Sequence, residues 1–502
     1  MRRVEPAVIA SSVVALFVLA PVVVLFWLGY GADVDWRAES LRLTLNTLAL
    51  TLLTVAGAVL IGVPLAFLTT YCELRKQGVW LALLTAPLAI PSYIGGFAYF
   101  AATGAGGEIA LLTGVALPAV DGLPGTALVM TLYTFPFIVL TTRASLRQLD
   151  SRMVEAARCL GAGSKEVIAR VILPRIRGGI AAGALIVALY TLSDFATPAI
   201  LGFDTFTRSI FVEYNAFGLD RAALLSLQLL VLVGIVLALE SRVGTEREST
   251  RCNITLRLTT SAYWLAVVFM SLVVTLTLAL PAFVFAVWLA RDGIAGFDPV
   301  LAWNSTYPAL LAAVATVIVA LPVAFAATQS RAGRLLERLA TLGYGIPGIV
   351  MGTALIYVGL TFDYLYQSLA LLIVGHILRF LPLAVGPLRT CAARLDKNVL
   401  FAARSLGARR LETIKRVSLP MLVPGAFAGG ALVFLEVMRE LPLTLLLRPT
   451  GMDTLTTELW QVYEAGYFGR AALPALCLIA ISACALLMMF SSENRSDQLP
   501  GR

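Results

Sequence analysis

Apolar runs of about twenty residues, separated by short polar or basic loops, recur along almost the whole chain. Wound as an α-helix, a run of that length matches the hydrocarbon thickness of a bilayer. Twelve runs are read, at about 7–30, 43–70, 79–102, 124–146, 178–201, 222–240, 259–290, 303–328, 338–360, 366–388, 424–447 and 471–490. They predict an all-α polytopic membrane protein with about twelve transmembrane helices. Met1-Arg2-Arg3 ahead of the first run resembles a signal sequence, but the run is too long for a cleaved segment and is read as a span.

The pattern repeats. Residues 151–174 read SRMVEAARCLGAGSKEVIARVILP, and residues 398–420 read NVLFAARSLGARRLETIKRVSLP. In register, Ala156, Ala157, Arg158, Leu160, Gly161, Val171, Leu173 and Pro174 meet Ala402, Ala403, Arg404, Leu406, Gly407, Val417, Leu419 and Pro420. Asn46…Pro64-Leu65-Ala66-Phe67 recurs as Asn304…Pro322-Val323-Ala324-Phe325, and Pro91 falls near Pro347 in the next run. Arg221-Ala222-Ala223-Leu224 returns as Arg470-Ala471-Ala472-Leu473. The chain is therefore read as two parallel six-helix halves, residues 1–245 and 255–502, joined by a polar linker at 240–255. The axis relating them lies along the membrane normal, and a pathway between the halves is the natural reading.

Each repeated island predicts a short amphipathic helix closed by glycine. Met153, Val154, Ala157 and Leu160 share a face at helical spacing, Gly161 tolerates a left-handed cap, and Pro174 sits near the start of the next helix. A short helix with one apolar face at a membrane surface is built to dock. A plain basic loop is the alternative, and the second copy in register weighs against it.

Composition narrows the class. The 502 residues are 59% hydrophobic and 14% charged, which excludes an ordinary soluble domain. The net charge of +8 is spread over loops, so no nucleic-acid partner is expected. Clusters at Arg75 and Lys76, Arg143 to Arg177, Arg242 to Arg257, Arg331 to Arg338 and Arg389 to Arg416 fall on one side. Arg37, Arg42, Arg208, Arg221, Arg291, Arg448 and Arg470 fall on the other. The richer side is cytoplasmic, which puts both islands and both termini in the cytoplasm. Cys72, Cys159, Cys252, Cys391, Cys477 and Cys484 contain no Cys-x-x-Cys pair, and the chain has one histidine. No disulfide, stable metal site or cofactor is expected.

Gly161-Ala162-Gly163-Ser164-Lys165 lacks both the spacing and the preceding strand of a phosphate-binding loop. The chain is not read as an enzyme or as binding ATP by that motif, and any energy it draws from ATP must come from a partner.

Ionisable residues inside spans are costly and mark function. Asp194 and Glu440 lie equally far beyond Pro174 and Pro420, and Glu436 shares a helical face with Glu440 beside Arg439. Pro198 and Pro442 follow the acids and loosen the backbone where a gate would be. Two readings stay open: the acids line a path for a cation, or they form buried ion pairs such as Glu436 with Arg439. His376 and Arg379 share a face of the tenth run, and the histidine is read as hydrogen-bonded packing in preference to a proton relay. Tyr214, Tyr463, Phe206 and Trp460 are read as interfacial aromatics in preference to a ligand cage.

Glu155-Ala156-Ala157…Gly161…Val171-Ile172-Leu173-Pro174 resembles the signature loop of ABC importer permeases. The second copy fits, except that Phe401 stands where the family usually has glutamate. The resemblance implies that loops at about 148–174 and 394–420 are coupling helices, which seat on two copies of a separate ATPase subunit. The implied coupling residues are Glu155, Ala156, Ala157, Gly161, Pro174, Ala402, Ala403, Gly407 and Pro420. SDFATPAILG with Thr205-Phe206-Thr207, and RELPLTLLLRPTGMDTL with RAALPAL after it, resemble the two halves of ferric-iron importer permeases. That implies Fe3+ as substrate, an external substrate-binding protein, and the plasma (inner) membrane of a prokaryote. Permeases for thiamine, polyamines or phosphonates share the architecture. A twelve-span transporter driven by an ion gradient is the alternative from another class, against which the short linker and duplicated docking helices weigh. No catalytic constellation supports a membrane enzyme.

Overall fold

The structure is a computed structural model that describes residues 6–30, 37–240, 258–293, 297–395, 405–407 and 409–497. Among the described residues ten helices are long and apolar enough to cross a bilayer, and two bent helix pairs raise the number to twelve if each counts as one span. Regular structure among the described residues is helical. Hydrocarbon offers the backbone no hydrogen-bond partner, so the chain satisfies its amides and carbonyls within each helix.

The third and ninth runs are broken rather than continuous. Gln77–Thr85 passes through a tight turn, Ala86–Ala89, and a 90° bend into Ser92–Ala102. Arg331–Gly345 bends by 99° into Gly348–Thr361. Both hinges are Ile-Pro. Ile90 and Ile346 hold ψ of 121° and 119°, because the proline ring keeps the preceding residue out of the helical region. Pro91 and Pro347 then cap the second arms, whose 11 and 14 residues fall short of a bilayer on their own.

Three other prolines widen a helix instead of breaking it. Pro174, Pro281 and Pro420 each follow closely on a π-helical turn, at Ile168–Ile172, Thr275–Ala279 and Ile414–Ser418. Proline lacks the N–H that would reach back one turn and its ring pushes against that carbonyl, so the turn opens. At Pro281 the carbonyl left over belongs to Thr277, and Tyr133 Oη donates to it at 3.1 Å. Tyr99 Oη donates to the neighbouring Leu276 carbonyl at 2.9 Å.

Packing divides the chain into two compact units, one of Met1–Val34, Ile210–Leu227 and Ile294–Arg502, the other of Asp35–Ser209 and Gln228–Gly293. These units and the sequence halves are different partitions of the chain. In the first unit Pro6–Gly29 packs on Val300–Gln329, Arg331–Gly345 and Gly348–Thr361. Ser11 Oγ donates to the Pro322 carbonyl at 3.1 Å there, and Trp27 meets Tyr357 with ring centres 5.3 Å apart. In the second unit Thr260–Val274 packs on Gln77–Thr85, and Leu280–Asp292 on Ser92–Ala102. Buried Glu108 ties that contact, accepting from Trp288 Nε1 at 2.6 Å and from Arg291 at 2.9 and 3.2 Å. The opening helix of each sequence half is thus built into the unit that holds most of the other half.

Docking loops and the duplicated acid sites

The first island forms the helix Ser151–Cys159, capped by Asp150, whose carboxylate accepts from Arg152 N at 3.0 Å. Val154 is buried and Ala157 partly so, in one cluster with Leu149, Val167 and Ile172. Glu155, Ala156, Arg158 and Cys159 face outward. Leu160 does not join the inward face expected for it: it is 88% exposed. The helix end explains this. Gly161 turns left-handed at φ +85°, and Ala162 N closes back on the Ala157 carbonyl at 3.0 Å, which swings Leu160 outward.

The second island repeats the geometry where it is described. Gly407 has φ +87° and Leu406 is again 88% exposed, while Ala402 and Ala403 lie outside the described residues. A Cβ at either glycine would meet nothing within 4 Å, so the glycines serve the backbone angle and not a tight fit. Behind the π turns, Pro174 and Pro420 open the helices Leu173–Ser193 and Leu419–Arg439.

Asp194 and Glu440 cap the far ends of those two helices, each in extended conformation ahead of a short helix, Ala196–Ile200 or Pro442–Leu447. Each carboxylate folds over the start of that short helix, where free backbone amides favour negative charge. Asp194 accepts from Ser92 Oγ at 2.6 Å, Thr197 Oγ1 at 2.7 Å and Thr197 N at 3.3 Å. Glu440 accepts from Leu443 N and Thr444 N at 2.9 Å each, and from Thr444 Oγ1 at 3.1 Å.

The two sites then differ. Glu440 pairs with Arg379 at 3.2 Å, the side chains 3% and 14% exposed, whereas Asp194 has no basic partner among the described residues. Gly348 leaves room for that arginine, since any side chain there would strike the guanidinium. Its counterpart at the start of the other bent arm, Ser92, supplies a hydroxyl to Asp194 instead. Glu436 is paired with Arg439 on its own helix. His376 is buried, stacks on Phe380 and lies 3.4 Å from Thr444 Oγ1.

A further duplicated set of hydrogen bonds holds the segment after each acid. Asn46 Nδ2 donates to the Asp204 carbonyl and Asn304 Nδ2 to the Asp453 carbonyl, both at 3.0 Å. Thr47 Oγ1 accepts from Phe206 N at 3.2 Å, and Ser305 Oγ from Leu455 N at 2.8 Å. Thr207 Oγ1 donates to the Asp194 carbonyl at 2.8 Å, and Thr456 Oγ1 to the Glu440 carbonyl at 3.4 Å. The Asn46 and Asn304 echo is visible in the sequence, while the roles of Thr207 and Thr456 are signalled only by the repeated Thr-x-Thr spacing.

These bonds orient the helices Phe206–Asn215 and Leu455–Ala465. Phe206 and Trp460 are 1% and 5% exposed, so they are packed inside the protein and do not serve as interfacial aromatics. Trp460 meets Phe211 edge to face, centres 5.6 Å apart and planes at 87°, and meets Tyr463 at 5.6 Å. Burial, and next the neighbouring Tyr366, push the Tyr214 phenol above its ordinary pKa.

Residues 2–241 and 319–497 match the family described as binding-protein-dependent transport system inner membrane component, and each matched piece contains one docking loop. The chain belongs to this family. The permease is 27% identical to the Fe(3+)-transport system permease protein FbpB 2 of Haemophilus influenzae, across 90% of each chain. It is 25% identical to the probable ABC transporter permease protein y4fN of Sinorhizobium fredii, across 92% of this chain and 89% of that one. It is 22% identical to the ferric transport system permease protein FbpB of Actinobacillus pleuropneumoniae, across 85% and 67%. The permease is thus a multi-pass inner-membrane component of a prokaryotic ABC importer, and its part is transport rather than catalysis.

Proposed function

We propose that this permease moves ferric iron inward after an external binding protein delivers it, driven by two copies of a separate ATPase seated on the two docking loops. Iron is supported by one observation above others. Permeases named for Fe(3+) or ferric transport match most of the chain, while one named for 2-aminoethylphosphonate matches 28% of it. The acids agree with a hard cation that prefers carboxylate oxygen, at sites weak enough to release it.

In this reading the loop, the helix and the acid form one lever. Val154 anchors the docking helix to the π turn, and Leu173–Ser193 runs from there to Asp194 over 21 residues, or about 30 Å. The acids lining the path carry unequal weight. Arg379 and Arg439 neutralise Glu440 and Glu436, while Asp194 is held by two hydroxyls and an amide, so Asp194 supplies the uncompensated charge.

Uptake of labelled iron in cells carrying Asp194→Asn should fall by about tenfold at normal abundance, the effect of roughly 1.4 kcal/mol on a barrier. Glu440→Gln should reduce it less. Parental uptake in the Asp194→Asn, Glu440→Gln double variant would make both acids structural.

The lysine and arginine distribution supports a cytoplasmic position for both docking loops and both termini. Reporter fusions at Gly106 and at Ser164 should read periplasm and cytoplasm respectively. The same side for both would overturn this orientation.

A further inference from the structure

We infer that Phe211 and Trp460 form a gate across the substrate path, at the end of the lever remote from the docking loops. The inference rests on the importer reading and adds to it the residues that close the path.

The argument starts from register. From Asp204 and Asp453, which accept from Asn46 and Asn304, the two halves run residue for residue without insertion. They pass through Thr205-x-Thr207 and Thr454-x-Thr456 and reach Arg221-Ala222-Ala223-Leu224 and Arg470-Ala471-Ala472-Leu473. Phe211 and Trp460 are therefore the same position of the repeat, and so are Tyr214 and Tyr463. Phe211 and Trp460 touch each other, and both belong to the same compact unit. Two copies of one position meet only where the axis relating the copies passes. The other duplicated contacts, Asn46 with Asp204 and Asn304 with Asp453, each stay within one half. A path between parallel halves follows their axis, so this aromatic pair stands in it.

Chemistry and linkage point the same way. Trp460 is nearly buried, with Phe211 at one edge and Tyr463 beside it, and aromatic rings in contact across a path leave no opening for a hydrated cation. Thr207 and Thr456 tie the two gate helices to the carbonyls of Asp194 and Glu440. A displacement of Leu173–Ser193 or Leu419–Arg439 at its docking loop therefore pulls directly on one side of the pair.

The test uses the complete permease with its ATPase and binding protein in proteoliposomes, in a background where the native cysteines are serine. Phe211→Cys with Trp460→Cys should join under a short bifunctional thiosulfonate. Hydrolysis of ATP stimulated by the binding protein should then be lost and should return on reduction, while in each single-cysteine variant, whatever its own rate, adding the reagent should change nothing. Full stimulated hydrolysis by the joined protein would overturn the gate. So would failure to join when both cysteines react with maleimide in detergent. Should the double variant not accumulate, Phe211→Ala with Trp460 kept provides the same decision: hydrolysis without binding protein rises several-fold if the pair is a gate and is unchanged if it is packing. Labelled Fe3+ uptake by the unsubstituted complex is scored separately, and its absence removes the iron reading while leaving the hydrolysis result to decide the gate.

Discussion

Glu440→Ala is expected to cost the fold about 3–5 kcal/mol, the penalty for removing one member of a buried ion pair. Arg379, its side chain 14% exposed, would remain in a space shaped by Gly348 without the Glu440 carboxylate. The amides of Leu443 and Thr444 would lose their acceptor at the same time. The permease should nearly vanish from membranes, measured by quantitative blotting and by thermal unfolding in detergent. Glu440→Gln should be milder, because an amide oxygen still accepts from both backbone groups. Arg379→Met combined with Glu440→Gln should recover most of the loss, since a matched removal leaves no buried charge. Parental abundance of Glu440→Ala would show that the pair adds nothing to stability.

Gly161→Val with Gly407→Val should abolish transport while the protein stays in the membrane. Both glycines sit at positive φ, where a β-branched residue costs at least about 1–2 kcal/mol, and the strain is relieved by unwinding the turn. That turn is what presents Leu160 and Leu406 outward. Open space around both positions means that the loss comes from backbone angle rather than a clash. Gly161→Asn, which tolerates the left-handed region, should therefore keep coupling. Uptake, binding-protein-stimulated ATP hydrolysis, and cysteine crosslinking from positions 156 and 402 to the ATPase measure this. Equal damage from Asn and Val would assign the effect to side-chain bulk at the docking surface.

Much of the fold is legible in the sequence because hydrocarbon imposes one solution, long apolar helices, and the basic loops punctuate them. The bends are half legible. Pro91 and Pro347 mark the places, but a proline alone also fits the widened turns before Pro174, Pro281 and Pro420. The packing of Pro6–Gly29 is not legible, since a helix apolar on every side carries no mark of its partner. At the acid sites the duplication gives the positions of Asp194 and Glu440 but not their surroundings. The pairing of Arg379 with Glu440 joins distant segments, and it depends on the absence of a side chain at Gly348. Leu160 shows the limit of periodicity: its spacing puts it on the inward face, yet the helix has already ended at Cys159.

The exchange of opening helices bears on how the molecule is made. Pro6–Gly29 is synthesised well before its main packing partners, which lie between Val300 and Thr361. At about 5–20 residues per second, the first helix waits roughly 15–60 s in the membrane before those neighbours are synthesised. Biogenesis therefore includes an interval in which a helix carrying Ser11 and Pro21 stands without its final contacts. Whatever shelters nascent membrane helices must hold it for that time. Slowed translation between the two halves should then raise degradation of this permease more than that of a membrane protein whose neighbouring helices pack in the order of synthesis.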